Sequence, residues 1–294
     1  MTKLAAIWIY LMSNKPFSRQ IKQLHPERDH EKIAFLLSFH CFPWDMEKAL
    51  EFALFRTFAV PSVSRLLVAT GEFTKRTRKR YDDTELILYE ILENGKDSDR
   101  GKAAIGRMNA MHGRFHIPNQ DYLYVLSTFI FEPIRWMDNW GWRPFTSKEK
   151  EAIFVNYREL ARHMGITDVP ETLSEFESFN LSYEKEHFIF HADNRLLGQK
   201  TLDLLLGFYL PQWLFGAGRH VAFCLMDAPL RKAMGFPDPP RALQLLVRTG
   251  LKIRAFGLSI MPERKVPRLG TQRKRDTYPK GYQIPDLGTF NSSK

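Results

Sequence analysis

"FPWDMEKALEFALFRTFAVP", Phe42 to Pro61, identifies the fold class. Met46, Ala49, Leu50, Ala53 and Leu54 recur at the three- and four-residue spacing that puts side chains on one helical face. Phe52, Phe55 and Phe58 make a second side apolar too, so the pattern predicts a helix buried all round. Asp45 is the candidate N-cap, since a carboxylate there accepts from the free amides of a first turn. Pro61 then opens the next element, at a position where a missing N–H costs nothing.

The same punctuation runs outward in both directions. "TSKEKEAIFVNYRELARHMGI" begins with a capping box, Thr146 with Glu149, and Gly165 stops it. Thr172 and Glu175 repeat the device. Asn119 is the expected cap of the helix carrying "DYLYVLSTFIF", and Pro133 the expected restart beyond it. Later helices are expected at about Arg195–Leu210, Gly218–Met234 and Pro240–Ile260. Strand-like alternation is scarce and no internal repeat is visible. The class is all-α, divided into an N-terminal segment (1–28), one helical domain (29–260) and an extended basic C-terminal arm (261–294).

Hydrophobic residues make up 44% of the 294 and charged residues 26%, which excludes a disordered chain. The 23 Phe imply a thick core or an apolar cavity. Cys41 and Cys224 have no metal-site spacing and suit a reducing, cytoplasmic setting. "LAAIWIYLM", Leu4 to Met12, is too short to span a bilayer, although Trp8 and Tyr10 suit a membrane surface. Cytoplasmic placement with room for peripheral membrane contact is the expectation.

Net charge is +10, unevenly spread. From Arg248 to Lys280 there are ten Lys/Arg against two acids, and "TKRTRKR" spans Thr74 to Arg80. No aromatic interleaving or nucleic-acid motif accompanies them, so no nucleic-acid partner is expected. The plain reading is a solvated basic surface and tail.

Candidate chemistry centres on "GRMNAMHGRFHIPNQDYLYVL", Gly106 to Leu126. His112 and His116 are four apart, as are His187 and His191, a spacing that can grip zinc. Gly113 stands where a zincin places its glutamate, and Pro118 threatens the helix around His116. Glu27–His30 and Glu184–His187 have the Glu-x-x-His spacing of di-iron bundles, an alternative carried by spacing alone. A third reading is one imidazole holding haem. Ile105 and Met108 share the face of His112, Gly106 and Ala110 leave space, and Arg107 and Arg114 are candidates for the propionates. Against all three stands a satisfied core histidine.

"TKRTRKRYDDTELIL" has two readings as well. Asp82 or Asp83 is an N-cap with the cations in solvent, or Arg80 and Thr84, four apart, point inward over a bound group.

The blocks quoted so far, with "RKRYDDT", "GRMNAMHGRF", "DYLYVLSTFIFEPIRWMDNWGWRPF", "YRELARHMGI" and "AMGFPDPPRALQLLVRTGLKIR", resemble the mpaB and rubber oxygenase (latex-clearing protein) catalytic-domain family. The resemblance runs from about Asp29 to Ile260. It implies a globin-like helical core binding haem b (iron) through a histidine. It further implies that dioxygen is used to cleave a carbon–carbon double bond in an apolar, prenyl-like substrate. By motif position His112 is the axial ligand, with Arg107, Met108 and Arg114 around the cofactor.

Arg80 and Thr84 match the ends of the rubber-cleaving branch's Arg-x-x-Lys-Thr element. Asp83 replaces its lysine, so no amine closes the distal position, and Asp83 becomes a candidate for removing an allylic proton. Trp136, Trp140 and Trp142 are channel candidates, with core packing the favoured reading for at least two. A non-catalytic haem or lipid carrier on the same scaffold stays open, because a carrier needs the same ligand.

Overall fold

A computed structural model describes residues 15–288, so the Leu4–Met12 stretch lies outside the described residues. α1 (Pro16–Gln23) and α2 (His30–Leu36) lead through a π-turn into α3 (Pro43–Phe58). α4 (Pro61–Thr70) and the short α5 (Glu72–Lys75) precede α6 (Thr77–Asn94) and α7 (Asp99–His112). α8 (Asn119–Trp140), α9 (Ser147–Met164) and α10 (Leu173–His187) follow. The described chain continues through α11 (Ala192–Gly207), α12 (Phe215–Leu225), α13 (Ala228–Met234) and α14 (Arg241–Ile260). No strand forms among the described residues, and the class is all-α.

α3 packs lengthwise on α8 at the centre, and α2, α9 and α10 close round that pair. Leu37, Phe42, Ile130, Phe131, Phe154 and Phe176 fill the main core there. α3 is buried nearly all round as its pattern predicts, but it also takes Asp45, Lys48, Glu51 and Arg56 inside. Asp45 is not the cap. Pro43, pre-set for the first helical turn, starts the helix earlier, which leaves Asp45 to accept from Trp136 Nε1 at 3.0 Å. Arg254 binds the same carboxylate at 2.9 and 3.1 Å.

Both capping boxes form, and Gly165 ends α9 with φ 70°. Three boundaries differ from expectation. Asn119 is the first helical residue rather than the cap, and its amide instead bridges Thr167 through two backbone hydrogen bonds of 2.9 and 3.0 Å. Pro133 lies inside α8, which runs on because Ile130, Phe131, Ile134 and Trp136 on either side of it are buried. The element expected over Gly218–Met234 breaks in two, because Asp227 caps α13 by accepting from the Leu230 amide at 2.9 Å.

Part of each basic segment is paired rather than solvated. α6 begins at Thr77, so Asp82 and Asp83 are no caps but buried second-turn residues facing Arg78 and Lys79 at 2.9 and 2.8 Å. The arm beyond α14 lies along α6 and α7. Its Ile284 and Leu287 enter a core with Leu86, Ile87, Ile105 and Met108. Arg273 binds Glu47 at 2.7 Å, while Arg275 bridges Asp82 at 3.0 Å and Glu85. Among the described residues no single helix is long and apolar enough to cross a membrane.

Candidate active site

A cleft opens between α3, α6, α8 and α9. Leu50 and Leu54 on α3, Phe73 on α5, Leu88 on α6, Phe129 on α8 and Leu160 on α9 supply its apolar wall. Its cavity volume is about 90 Å³, a narrow slot lined mainly by apolar side chains. The pairs Leu50/Leu54 and Thr84/Leu88 are each one turn apart, so each helix offers one face to the same space.

Thr84 brings chemistry to the wall. Its hydroxyl accepts from Arg80 Nη1 and donates to the Arg80 carbonyl at 2.9 Å. The Arg80 guanidinium lies 5.0 Å from the centroid of Phe73, another wall residue. Burial pulls the Arg80 pKa below its ordinary value, with Asp83 and Glu72 acting against that.

His112 is the last residue of α7, set edge-on to Tyr122 with ring centres 5.6 Å apart. Its Nδ1 is buried with no hydrogen-bond partner. Burial first, and the Arg80 charge second, push the imidazole down to about 4. The ring is therefore neutral at physiological pH, as a metal ligand must be. The Arg80 charge acts on the His112 imidazole, and its guanidinium binds the Thr84 hydroxyl on the cleft wall.

The remaining sequence candidates fall elsewhere. Asp83 is turned to Lys79 and to the Tyr278 hydroxyl, away from the residues that line the cleft. Met108 is packed in the core shared with the arm, and Arg107 Nε donates to the Leu287 carbonyl at 2.6 Å. Arg114 is exposed past the end of α7. His116 is exposed there too, so it shares no helical face with His112. His187 ends α10 whereas His191 caps α11, which dissolves that pair as well. Trp136, Trp140 and Trp142 pack with the main core, and none lines the cleft.

Glu184 of the di-iron spacing is bound to Arg56 at 3.0 Å. Among the described residues no group of three or more His, Cys, Asp or Glu is arranged to hold a bare metal ion. A haem needs only one imidazole, and the neutral ring of His112 with its unsatisfied buried nitrogen fits that requirement.

Several polar cleft residues escaped the sequence reading, among them Glu31, Glu47, Glu51 and Glu85. Glu51 lines the space, and burial raises its carboxyl to about 7 even with Lys48 Nζ at 2.5 Å pulling the other way. The available signal was Lys48 and Glu51, three apart in a helix whose other residues demand burial.

An all-helical body thus holds a buried histidine nitrogen, a cation and a hydroxyl close to an apolar cleft, a setting suited to apolar molecules. Residues 50–255 match the family described as ER-bound oxygenase mpaB/B'/Rubber oxygenase, catalytic domain, and the chain belongs to that family. It is accordingly an oxygenase within the oxidoreductases.

Similar proteins include the ER-bound oxygenase mpaB of Penicillium roqueforti (strain FM164), 31% identical over 66% of this chain and 70% of its own length. The ER-bound oxygenase mpaB' of Penicillium brevicompactum is 30% identical over 74% of this chain and 55% of its own length. The mpaB of the same organism is 28% identical over 70% of this chain, and the match spans 57% of that relative.

Proposed function

We propose that this protein is a haem b-dependent oxygenase that uses dioxygen to oxidise or cleave a carbon–carbon double bond in an apolar, prenyl-like substrate. The carrying observation is the buried, unsatisfied, neutral imidazole of His112 coupled to the Arg80–Thr84 pair. His112 would hold the iron, and the haem, when bound, supplies the activation of dioxygen. Arg80 and Thr84 supply fixed positive charge and a hydroxyl next to an apolar space, where preorganised donors act strongly on developing negative charge. The aliphatic and aromatic wall of the cleft orients a hydrocarbon chain and excludes water. Asp83, held by Lys79 and Tyr278, is assigned no proton transfer.

Relatives of this chain are ER-bound by name. We carry that over as a cytoplasmic protein in peripheral contact with a membrane surface, where a prenyl substrate is dissolved.

The test is an absorption spectrum of purified protein beside His112→Ala, then mass spectrometry of a geranyl- or farnesyl-bearing probe incubated under air. The expected results are a Soret band lost in the variant and oxidised product from wild type alone. Full haem binding by His112→Ala removes that residue from the ligand role. A normal spectrum without product makes the protein a carrier.

A further inference from the structure

α14 has three sides. Leu243, Val247, Leu251 and Leu258 turn toward the body and are half-buried. Arg254 fixes that side: it grips the Asp45 carboxylate of α3 and stacks 3.9 Å from the centroid of the Trp44 ring. The outward side is also apolar, apart from Thr249 in its middle. Ala242, Leu245, Leu246, Ile253, Phe256 and Ile260 fall within an arc of about 100° at 3.6 residues per turn. Of these, Leu245, Leu246, Ile253 and Phe256 leave between 66% and 70% of their surface in solvent.

Basic residues border this arc. Arg241, Arg248 and Lys252 occupy one flank, are exposed, and form no ion pair with any described residue. The helix carries no acid along its whole length. An outward apolar face larger than a scatter of single residues requires a cover. A basic border without compensating acids gives that cover a negative charge.

Two neighbours lie beside this helix. Trp213, in the turn leading into α12, on which α14 packs, is 80% exposed. At the other end, Lys15 Nζ donates to the Leu258 carbonyl at 2.7 Å. Lys15, the first described residue, is thereby anchored beside the C-terminal end of α14.

We propose that the outward face of α14 is a membrane-docking surface that lies in the plane of a bilayer bearing anionic headgroups. Its apolar arc enters the acyl boundary, and Arg241, Arg248 and Lys252 meet the headgroup charge. The proposal rests on the membrane contact put forward above and is independent of haem. Because Arg254 ties α14 to the helix that forms one wall of the cleft, docking would set the cleft at a fixed position over the lipid surface.

The test is flotation of the full chain with phosphatidylcholine vesicles, with and without phosphatidylserine. Three proteins are compared: wild type, Ile253→Glu/Phe256→Glu and Arg248→Glu/Lys252→Glu. All the replaced side chains are in solvent, so unchanged far-UV circular dichroism is expected in each. Wild type should float with phosphatidylserine vesicles, and the apolar-face variant should bind about a hundredfold more weakly. The basic-flank variant should lose the preference for phosphatidylserine.

Wild-type binding to neither vesicle overturns both the membrane contact and this surface. Undiminished binding by Ile253→Glu/Phe256→Glu overturns the surface and leaves the membrane contact standing. A wild-type dimer by light scattering that Ile253→Glu/Phe256→Glu renders monomeric assigns the face to a second copy instead.

Discussion

Replacing Arg56 with methionine isolates the electrostatics that hold the cleft's scaffold. Arg56 is 5% exposed, and its guanidinium sits where α3, α8, α10 and the cap of α13 meet. It donates through Nε to Glu132 at 2.5 Å, through Nη1 to Glu184 at 3.0 Å, and through Nη2 to Asp227. Methionine fills most of the same volume, so packing is nearly conserved while the charge is lost. Arg135 alone then faces Glu132 at 3.0 Å and Glu184 at 3.5 Å.

Breaking a buried pair by deleting one partner costs about 3–5 kcal/mol, because the other charge stays buried and uncompensated. For a chain of this size that corresponds to a fall in Tm of roughly 6–10 °C. The pH dependence has a defined sign. Burial already raises the Glu184 carboxyl, and Arg56 is the largest influence opposing it, so the variant raises it further. Between the unfolded value, about 4.3, and the raised folded value, the folded state binds the extra proton, so stability falls as pH rises.

The deficit relative to wild type should therefore be full near pH 8 and shrink toward pH 5. Thermal unfolding followed by circular dichroism at both pH values measures it. Adding Glu184→Gln to Arg56→Met should recover part of the loss at pH 8. A Tm within about 2 °C of wild type at pH 8, or a deficit that grows on acidification, would refute the reasoning.

Two other outcomes are expected. In Gly101→Ala the new Cβ would stand 1.9 Å from the Gly95 carbonyl oxygen, so the start of α7 must shift; a loss of about 1–3 kcal/mol is expected, and an unchanged Tm counts against that close packing. If His112 holds haem as proposed, its imidazole, neutral down to about 4, should keep haem uptake nearly constant between pH 7 and pH 5.5; an ordinary histidine would lose about eightfold there, and a drop of that size contradicts its environment.

Residue order alone was enough for the helical class, the two capping boxes, the Gly165 stop and the burial of α3 on all sides, because each follows from spacing within a few residues. The spacing of Arg80 and Thr84, four apart, is matched by the hydrogen bond between them. Where Asp45, Asp82, Asp83 and Arg275 end up was settled by partners distant in the chain. A local cap and a buried ion pair use the same short acidic side chains, and only the packing of α14 and the arm against α3 and α6 chooses between them. The same holds for Pro133, where buried neighbours on α8 outweigh one missing hydrogen bond, and for α14, whose solvent-facing apolar side exists only because the body covers the opposite one.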